Sequence, residues 1–446
     1  MNKYKPYPEY KDSGVEWLGK IPSGWKISKL RYWFDFGKGL SITKENLKDT
    51  GVPCVNYGEV HSKYGFEVDP AVHPLKYVDK KYLKSSPNSL LSKGDFIFAD
   101  TSEDIEGSGN FTQLISDKLV FAGYHTVIVR PKDGNDHRYL AYALDSSEYR
   151  IQIQNAVKGV KVFSITQAIL RNSNIWFTSL PEQQKIAAFL DDETGKIDEL
   201  IEKQKILIAL LEEKRQAVIS HAVTKGLNPN TPMKDSGVEW LGKIPEHWAV
   251  KKIKHLSPVK RGASPRPIDD QRYFDVNGEY AWVRISDVTA SGEYLTRTTQ
   301  RLSALGSSLS VKIEPNEIFL SIAGTVGKPC IAGMKSCIHD GFVYFPSLNI
   351  PVEFLYYVFA AGEAYKGLGK FGTQLNLNTD TVGDIKIGCP TCKKQEEIAE
   401  YLDNETKKFE KLITKAKSAI ELMKERRTAL ISAAVTGKIN VSKKMR

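Results

Sequence analysis

Arginine, lysine, asparagine, glutamine and serine side chains can hydrogen-bond to base edges and phosphates, and this chain carries them on loops rich in glycine, serine and proline. In the first half the candidates are Lys38, Ser41, Asn56, Lys63, Lys158 and Lys161. Lys158 and Lys161 flank the string KGVK, a basic turn suited to phosphates. In the second half they are Arg261, Ser264, Arg266, Arg284, Lys328, Gln374 and Asn376. The stretch KRGASPRP, Lys260 to Pro267, joins basic side chains to stiff prolines, so its geometry can be set before a ligand arrives. A formal net charge of +10 points the same way, because neutralising phosphates takes a basic surplus.

Catalytic chemistry is harder to place. No G-x-x-x-x-G-K-[ST] phosphate loop occurs. The nearest string, Gly324 to Lys328, is too short and runs into Pro329, so it reads as a turn or a DNA-facing loop. There is no N-P-P-[YF] or D-P-P-[YF] string of an amino-methyltransferase, no G-x-S-x-G elbow and no H-E-x-x-H pair. Cys389 and Cys392 form a C-x-x-C, and zinc needs four ligands. The others would have to come from Cys330, Cys337 and His339, a spacing of no common finger, so unpaired thiols are expected. The expectation is a chain without catalytic residues, metal or cofactor of its own.

The elements that must carry these loops are written twice. KDSGVEWLGKIP runs from Lys11 to Pro22 and recurs unchanged from Lys234 to Pro245, and a tryptophan follows each copy at Trp25 and Trp248. Downstream, Leu190–Thr224 matches Leu402–Thr436 at 19 of 35 positions. Between these markers only frames correspond: Lys38-Gly39-Leu40-Ser41 with Arg261-Gly262-Ala263-Ser264, Val52–Val60 with Tyr280–Val288, and DFIFADTS from Asp95 with EIFLSIAG from Glu317. One scaffold used twice to recognise two different things would look like this. Within each unit, β-branched and aromatic runs such as His125–Val129 and Glu317–Ile322 read as strands between turns. Helices are expected at Arg138–Tyr149 and Val352–Tyr365. Trp17, Trp25, Trp240 and Trp248 lie in the invariant segment and are expected to pack rather than stack on bases.

Each repeated downstream segment reads as a long helix. Ile197, Leu200, Gln204, Leu207, Leu211, Lys214 and Val218 alternate at spacings of three and four. Phe409, Leu412, Ala416, Ala419, Met423, Arg426 and Leu430 are their equivalents, and Ile201, Ile208, Ile413 and Ile420 widen the stripe. This is a coiled-coil seam interrupted by polar residues. Asp191, Asp192 and Glu193, like Asp403 and Glu405, suit a helix start. A helix of about 30 residues is about 45 Å long. Two packed antiparallel would hold the β-rich units roughly one DNA turn, about 34–36 Å, apart.

In these residues the chain resembles the specificity subunits of type I restriction–modification systems. The resemblance rests on LPEQQKIAAFLDDETGKIDELI from Leu180 and CPTCKKQEEIAEYLDNETKKFEKLI from Cys389, with SIAGTVGKPCIA from Ser321 and YAWVRISDV from Tyr280. The second copy has CPTC and QEE where the first has SLP and EQQ. The resemblance implies an α+β fold of two β-rich mixed α/β target recognition domains, joined by two long antiparallel coiled-coil helices in a pseudo-twofold internal repeat. The expected boundaries are 1–180 and 231–390 for the recognition domains, 181–230 for the first helix and linker, and 391–446 for the second helix and basic tail. The resemblance also implies double-stranded DNA as ligand, read as a bipartite asymmetric site. It implies two methyltransferase subunits and an ATP-dependent nuclease–translocase as partners, with S-adenosylmethionine, ATP and magnesium belonging to them. The longest apolar run, Phe354–Ala361, is too short to span a bilayer, and MNKYKPYPEYKDSG has no apolar leader core. With five scattered cysteines, the expected compartment is a reducing cytoplasm. The rival expectation is a duplicated coiled-coil scaffold that binds protein ligands without DNA specificity.

Overall fold

The β-branched and aromatic runs between the markers assemble, in a computed structural model, into the same pair of sheets in each half. The structure describes residues 4–159, 162–365, 368 and 377–442. In the first half a five-stranded sheet has the order Phe34–Lys38, Thr126–Pro131, Phe96–Ala99, Phe111–Leu114, Phe66–Val68. Only its last pairing is parallel. A four-stranded sheet beside it runs Lys76–Val78, Val52–Val55, Val120–Ala122, Leu90–Leu91, with the middle pairing parallel. The second half repeats both orders and every strand direction. Its sheets are Lys260–Arg261, Phe342–Tyr344, Ile318–Ser321, Pro329–Ala332, Tyr294–Leu295 and Gln300–Leu302, Tyr280–Val283, Ser336–Ile338, Val311–Ile313. The fold is α+β, and the internal repeat extends through the segments where the sequences diverge.

Several elements are shorter or differently divided than the sequence suggests. The run Val52–Val60 is strand only to Val55, then turns into a wide helical turn at Glu59–Lys63. Tyr280–Val288 divides likewise, into strand Tyr280–Val283 and helix Ile285–Ala290. Carboxylates make the break: Asn56 N–H donates to Glu59 Oε2 at 3.1 Å and Arg284 N–H to Asp287 Oδ2 at 2.9 Å. The helix expected over Arg138–Tyr149 is two helices, His137–Asp145 and Ser147–Ala156, because Ser146 Oγ accepts from Tyr149 N–H and caps the second. Val352–Ala360 stops before Gly362, which takes φ 72°, and Glu363–Tyr365 is a separate 3-10 turn.

The chain forms two compact units. One takes Met1–Gln204 with Ser418–Arg446, the other Lys205–Lys417. Each long helix therefore contributes one part to each unit: Leu180–Lys225 has 46 residues and Cys392–Val435 has 44. Both exceed the expected 30, because LPEQQKIAAF and its counterpart are already helical. The acids read as start signals lie inside the helices, and two of them, Asp191 and Asp403, hold tyrosines instead. In the first unit Tyr142 hydroxyl donates to Asp191 Oδ1 at 2.7 Å; in the second, Tyr357 donates to Asp403 Oδ1 at 2.6 Å.

In the first unit, the core gathers Trp25, Trp176, Ile186 and Leu190 with Ile431, Ala434 and Val435 of the second helix. Trp176 Nε1–H donates to the Val435 carbonyl. Asp198 of the first helix pairs with Arg427 of the second at 3.1 Å, so the two segments run antiparallel there. In the second unit, Trp248, Ile387, Ile398 and Leu402 pack with Ile219, Ala222 and Val223 of the first helix. Trp25 and Trp248 are each 2% exposed, while Trp17 and Trp240 pack against the two cores. All four serve packing.

The buried seam is rotated from the expected one. Ile197, Ile201, Phe409, Ile413, Ala416 and Ile420 are buried, with Gln204, Ile208, Leu211, Arg215, Val218, Met423, Arg427 and Leu430 half-buried between and beside them. Leu200, Leu207 and Leu412 are 49%, 42% and 49% exposed, and Lys214 and Arg426 are exposed too. Ile201, Ile413 and Ile420, which seemed only to widen the stripe, share its buried centre with the expected Ile197, Phe409 and Ala416.

Candidate nucleic-acid interface

In both units one glycine carries the chain from one sheet to the other. Gly39 N–H donates to Thr126 O in the five-stranded sheet, and the next residue, Leu40, donates to Ala122 O in the four-stranded one. Gly262 and Ala263 repeat this with Phe342 O and Ile338 O. A Cβ on Gly39 would sit 1.9 Å from Gly123 O, and one on Gly262 2.2 Å from His339 O, so only glycine permits the crossing. The crossing presents Lys38 and Ser41 in the first unit, both exposed, and Arg261, Ser264 and Arg266 in the second.

The second-unit group converges on one residue. Arg261 Nε donates to the Asp340 carbonyl at 2.6 Å, Ser264 Oγ to Asp340 Oδ1 at 3.2 Å, and Arg266 Nη2 to Asp340 Oδ2 at 3.2 Å. Next to it, Gly341 N–H donates to His339 Nδ1, and burial pushes that imidazole's pKa down. At the equivalent turn the first unit has Tyr124 and His125, and His125 Nδ1 lies 3.2 Å from Asp100 Oδ1. Tyr57 stacks on His61 with centroids 5.1 Å apart, and burial, then Glu103 and Asp104, push its phenol up. Sequence reasoning passed over Asp340 and these aromatics because it sought cations and amides. The string HDG opposite RGAS was the available signal.

Two other candidates have structural work. Asn56 is 1% exposed, and its Nδ2 donates to Cys54 O and Glu59 Oε2, both at 3.3 Å, so it faces inward. Lys328 Nζ donates to Thr289 O and Ser291 O at 2.9 Å each, closing the end of the helix Ile285–Ala290, and burial lowers its pKa. Asn110 does the same in the first unit, with Nδ2 on His61 O at 3.2 Å. Lys63 lies 3.5 Å from Glu59 Oε1 with its side chain largely exposed. Arg284 is exposed and donates to Gln300 Oε1, and Lys158 is exposed. Lys161, Gln374 and Asn376 lie outside the described residues.

Among the described residues no group of three or more His, Cys, Asp or Glu side chains is arranged to hold a metal. Cys389 is buried, with its thiol pushed up to about 11 by burial, while Cys392 is exposed. Among the described residues no helix is long and apolar enough to cross a membrane.

Two copies of one two-sheet frame, each leading into a long helix and each presenting its own polar groups at the same crossing, define an internally duplicated chain. The model of the type I restriction modification DNA specificity domain matches residues 22–210 and again 245–422. The chain belongs to the family of type I restriction–modification specificity subunits. It is 26% identical over 324 residues to the type I restriction enzyme MjaVIII specificity subunit of Methanocaldococcus jannaschii, covering 69% of this chain and 71% of that one. It is 24% identical over 226 residues to the StySPI specificity subunit of Salmonella potsdam, covering 50% and 47%. Two solved structures, both 17% identical, share the fold. A chain from work on complex assembly and conformational transition of the type I R-M system superposes with a TM-score of 0.70, covering 93% of this chain and 98% of that one. The HsdS subunit from Thermoanaerobacter tengcongensis gives 0.52, covering 94% and 98%.

Proposed function

We propose that this chain reads a bipartite, asymmetric double-stranded DNA site, one half with each two-sheet unit, and is itself non-catalytic. The proposed recognition domains are 1–180 and 231–390. The proposal carries further that two methyltransferase subunits and an ATP-dependent nuclease–translocase are directed to the site, in the cytoplasm, with S-adenosylmethionine, ATP and magnesium held by those partners. The observation that supports it most is the pair of equivalent glycine crossings. They present exposed Lys38 and Ser41 in one unit, and set Arg261, Ser264 and Arg266 on Asp340 in the other. One frame with two chemistries is what an asymmetric pair of half-sites requires. Exposed Leu200, Leu207 and Leu412 on the long helices are proposed as partner contacts.

Genome-wide methylation mapping tests this, in cells carrying the chain with a cognate methyltransferase subunit and again with the chain deleted. Loss of one bipartite motif on deletion supports the proposal and reports both half-sites. An unchanged methylation pattern overturns it.

A further inference from the structure

An acidic side chain on a surface meant for phosphates repels its ligand unless it does something else there. Asp340 is such a residue. It sits at the turn before Phe342–Tyr344, 44% exposed at its side chain, and draws its ligands from a loop 74 to 79 residues away in sequence. Its carbonyl and both carboxylate oxygens each accept from a different residue of Arg261–Arg266. Gly262 and Ala263 lock the same loop onto Phe342 and Ile338 through the backbone. The loop's polar ends are thus oriented by a residue that belongs to the opposite turn. Arg266 is 74% exposed at its side chain, and its guanidinium keeps donors beyond the single bond to Asp340.

We propose that Asp340 is a positioning residue for second half-site recognition: it holds Ser264 and Arg266 in their reading geometry and makes no base contact of its own. This rests on the DNA-reading function proposed above. A long arginine held by one ion pair loses less rotamer freedom when it meets the base edge that fits its held geometry, so the clamp tightens binding to the matching half-site and not to altered ones.

The test uses the full chain assembled with its methyltransferase subunit, and competition binding between the mapped bipartite site and sites altered in one half. Asp340→Ala should reduce discrimination at the second half-site about tenfold, the scale of one well-placed base contact, and leave the first half-site unchanged. Arg266→Ala should do the same, and the double variant should lose no more than the worse single. Asp340→Asn removes the charge and keeps an acceptor; it should retain more discrimination than alanine while binding non-specific DNA more tightly. It carries the same cycle if the alanine variant does not assemble. Unchanged discrimination in the Asp340 variants, or losses that add fully with Arg266→Ala, overturn the clamp while leaving DNA reading intact. A wild-type complex with no preference for any bipartite site overturns both.

Discussion

Asn56 and Arg284 occupy the same place, the first residue after an equivalent strand, and each sends its backbone N–H to a carboxylate three residues on. Asn56 turns inward and is bonded on its amide; Arg284 turns outward. Asn56→Ala should therefore cost about 1–3 kcal/mol of stability, seen as a lower thermal midpoint, with first half-site preference retained. Arg284→Ala should leave the midpoint unchanged and weaken DNA binding.

A second residue pair differs in charge. Arg138, four residues before Tyr142, bridges Glu67 and Asp191 at 2.7 Å each. Four residues before the equivalent Tyr357 stands Glu353, and there Glu293 has a buried Oε1 without a hydrogen-bond partner. Burial first, then Asp403 and Glu353, push the Glu293 carboxyl up from 4.5 to about 7, against a lowering by Lys407. Below about pH 4.5 folded and unfolded chains are both protonated there, so nothing is lost. Between 4.5 and about 7 the unfolded chain releases a proton the folded one keeps, and stability falls as pH rises. Calorimetry should find Glu293→Gln melting above wild type at pH 8, with the difference shrinking toward pH 5.

At the scale of elements, the long helices show how a one-residue shift decides which face is buried and which is free. Leu200 and Leu207 are as apolar as Ile201 and Ile208, and successive positions differ by about 100° around the axis. Periodicity alone could not rank the two stripes; the pairing of Asp198 with Arg427 and the packed ends decide which one turns inward. Ile201→Ala should destabilise the protein by about 2–4 kcal/mol, as a buried large-to-small change does. Leu207→Asp should leave the thermal midpoint nearly unchanged and weaken co-elution with the methyltransferase subunit. If Leu207→Asp unfolds the chain instead, the exposed stripe is structural and the proposed partner contact is wrong.

For the whole molecule, each unit completes its core with helix from the other half of the chain. Ile431, Ala434 and Val435 serve the first unit, and Ile219, Ala222 and Val223 serve the second. These are the same repeated positions, 212 residues apart. A first half alone, residues 1–230, therefore carries a substitute for the segment it lacks, available from a second copy. It should dimerise and, with the methyltransferase subunit, direct methylation to a palindromic site. Light scattering that finds only monomers, together with no new methylation, would count against this.

The duplication, the long helices and the packing role of the tryptophans were all legible in the chain, because each depends on local pattern or on a repeat that needs no partner to be seen; Gly39 and Gly262 showed only as matching positions, and their crossing between two sheets was not legible. The identity of both sheets across Val52–Leu114 and Tyr280–Ala332 was not, since strand order depends on which distant segments pair. The same holds for the candidate site. Arg261, Ser264 and Arg266 were found by type, but Asp340 is acidic and more than 70 residues distant, and only the turn between two sheets brings it to them. Asn56 and Lys328 have suitable chemistry and the wrong surroundings: burial and nearby carbonyls, both products of tertiary packing, had already claimed their donors.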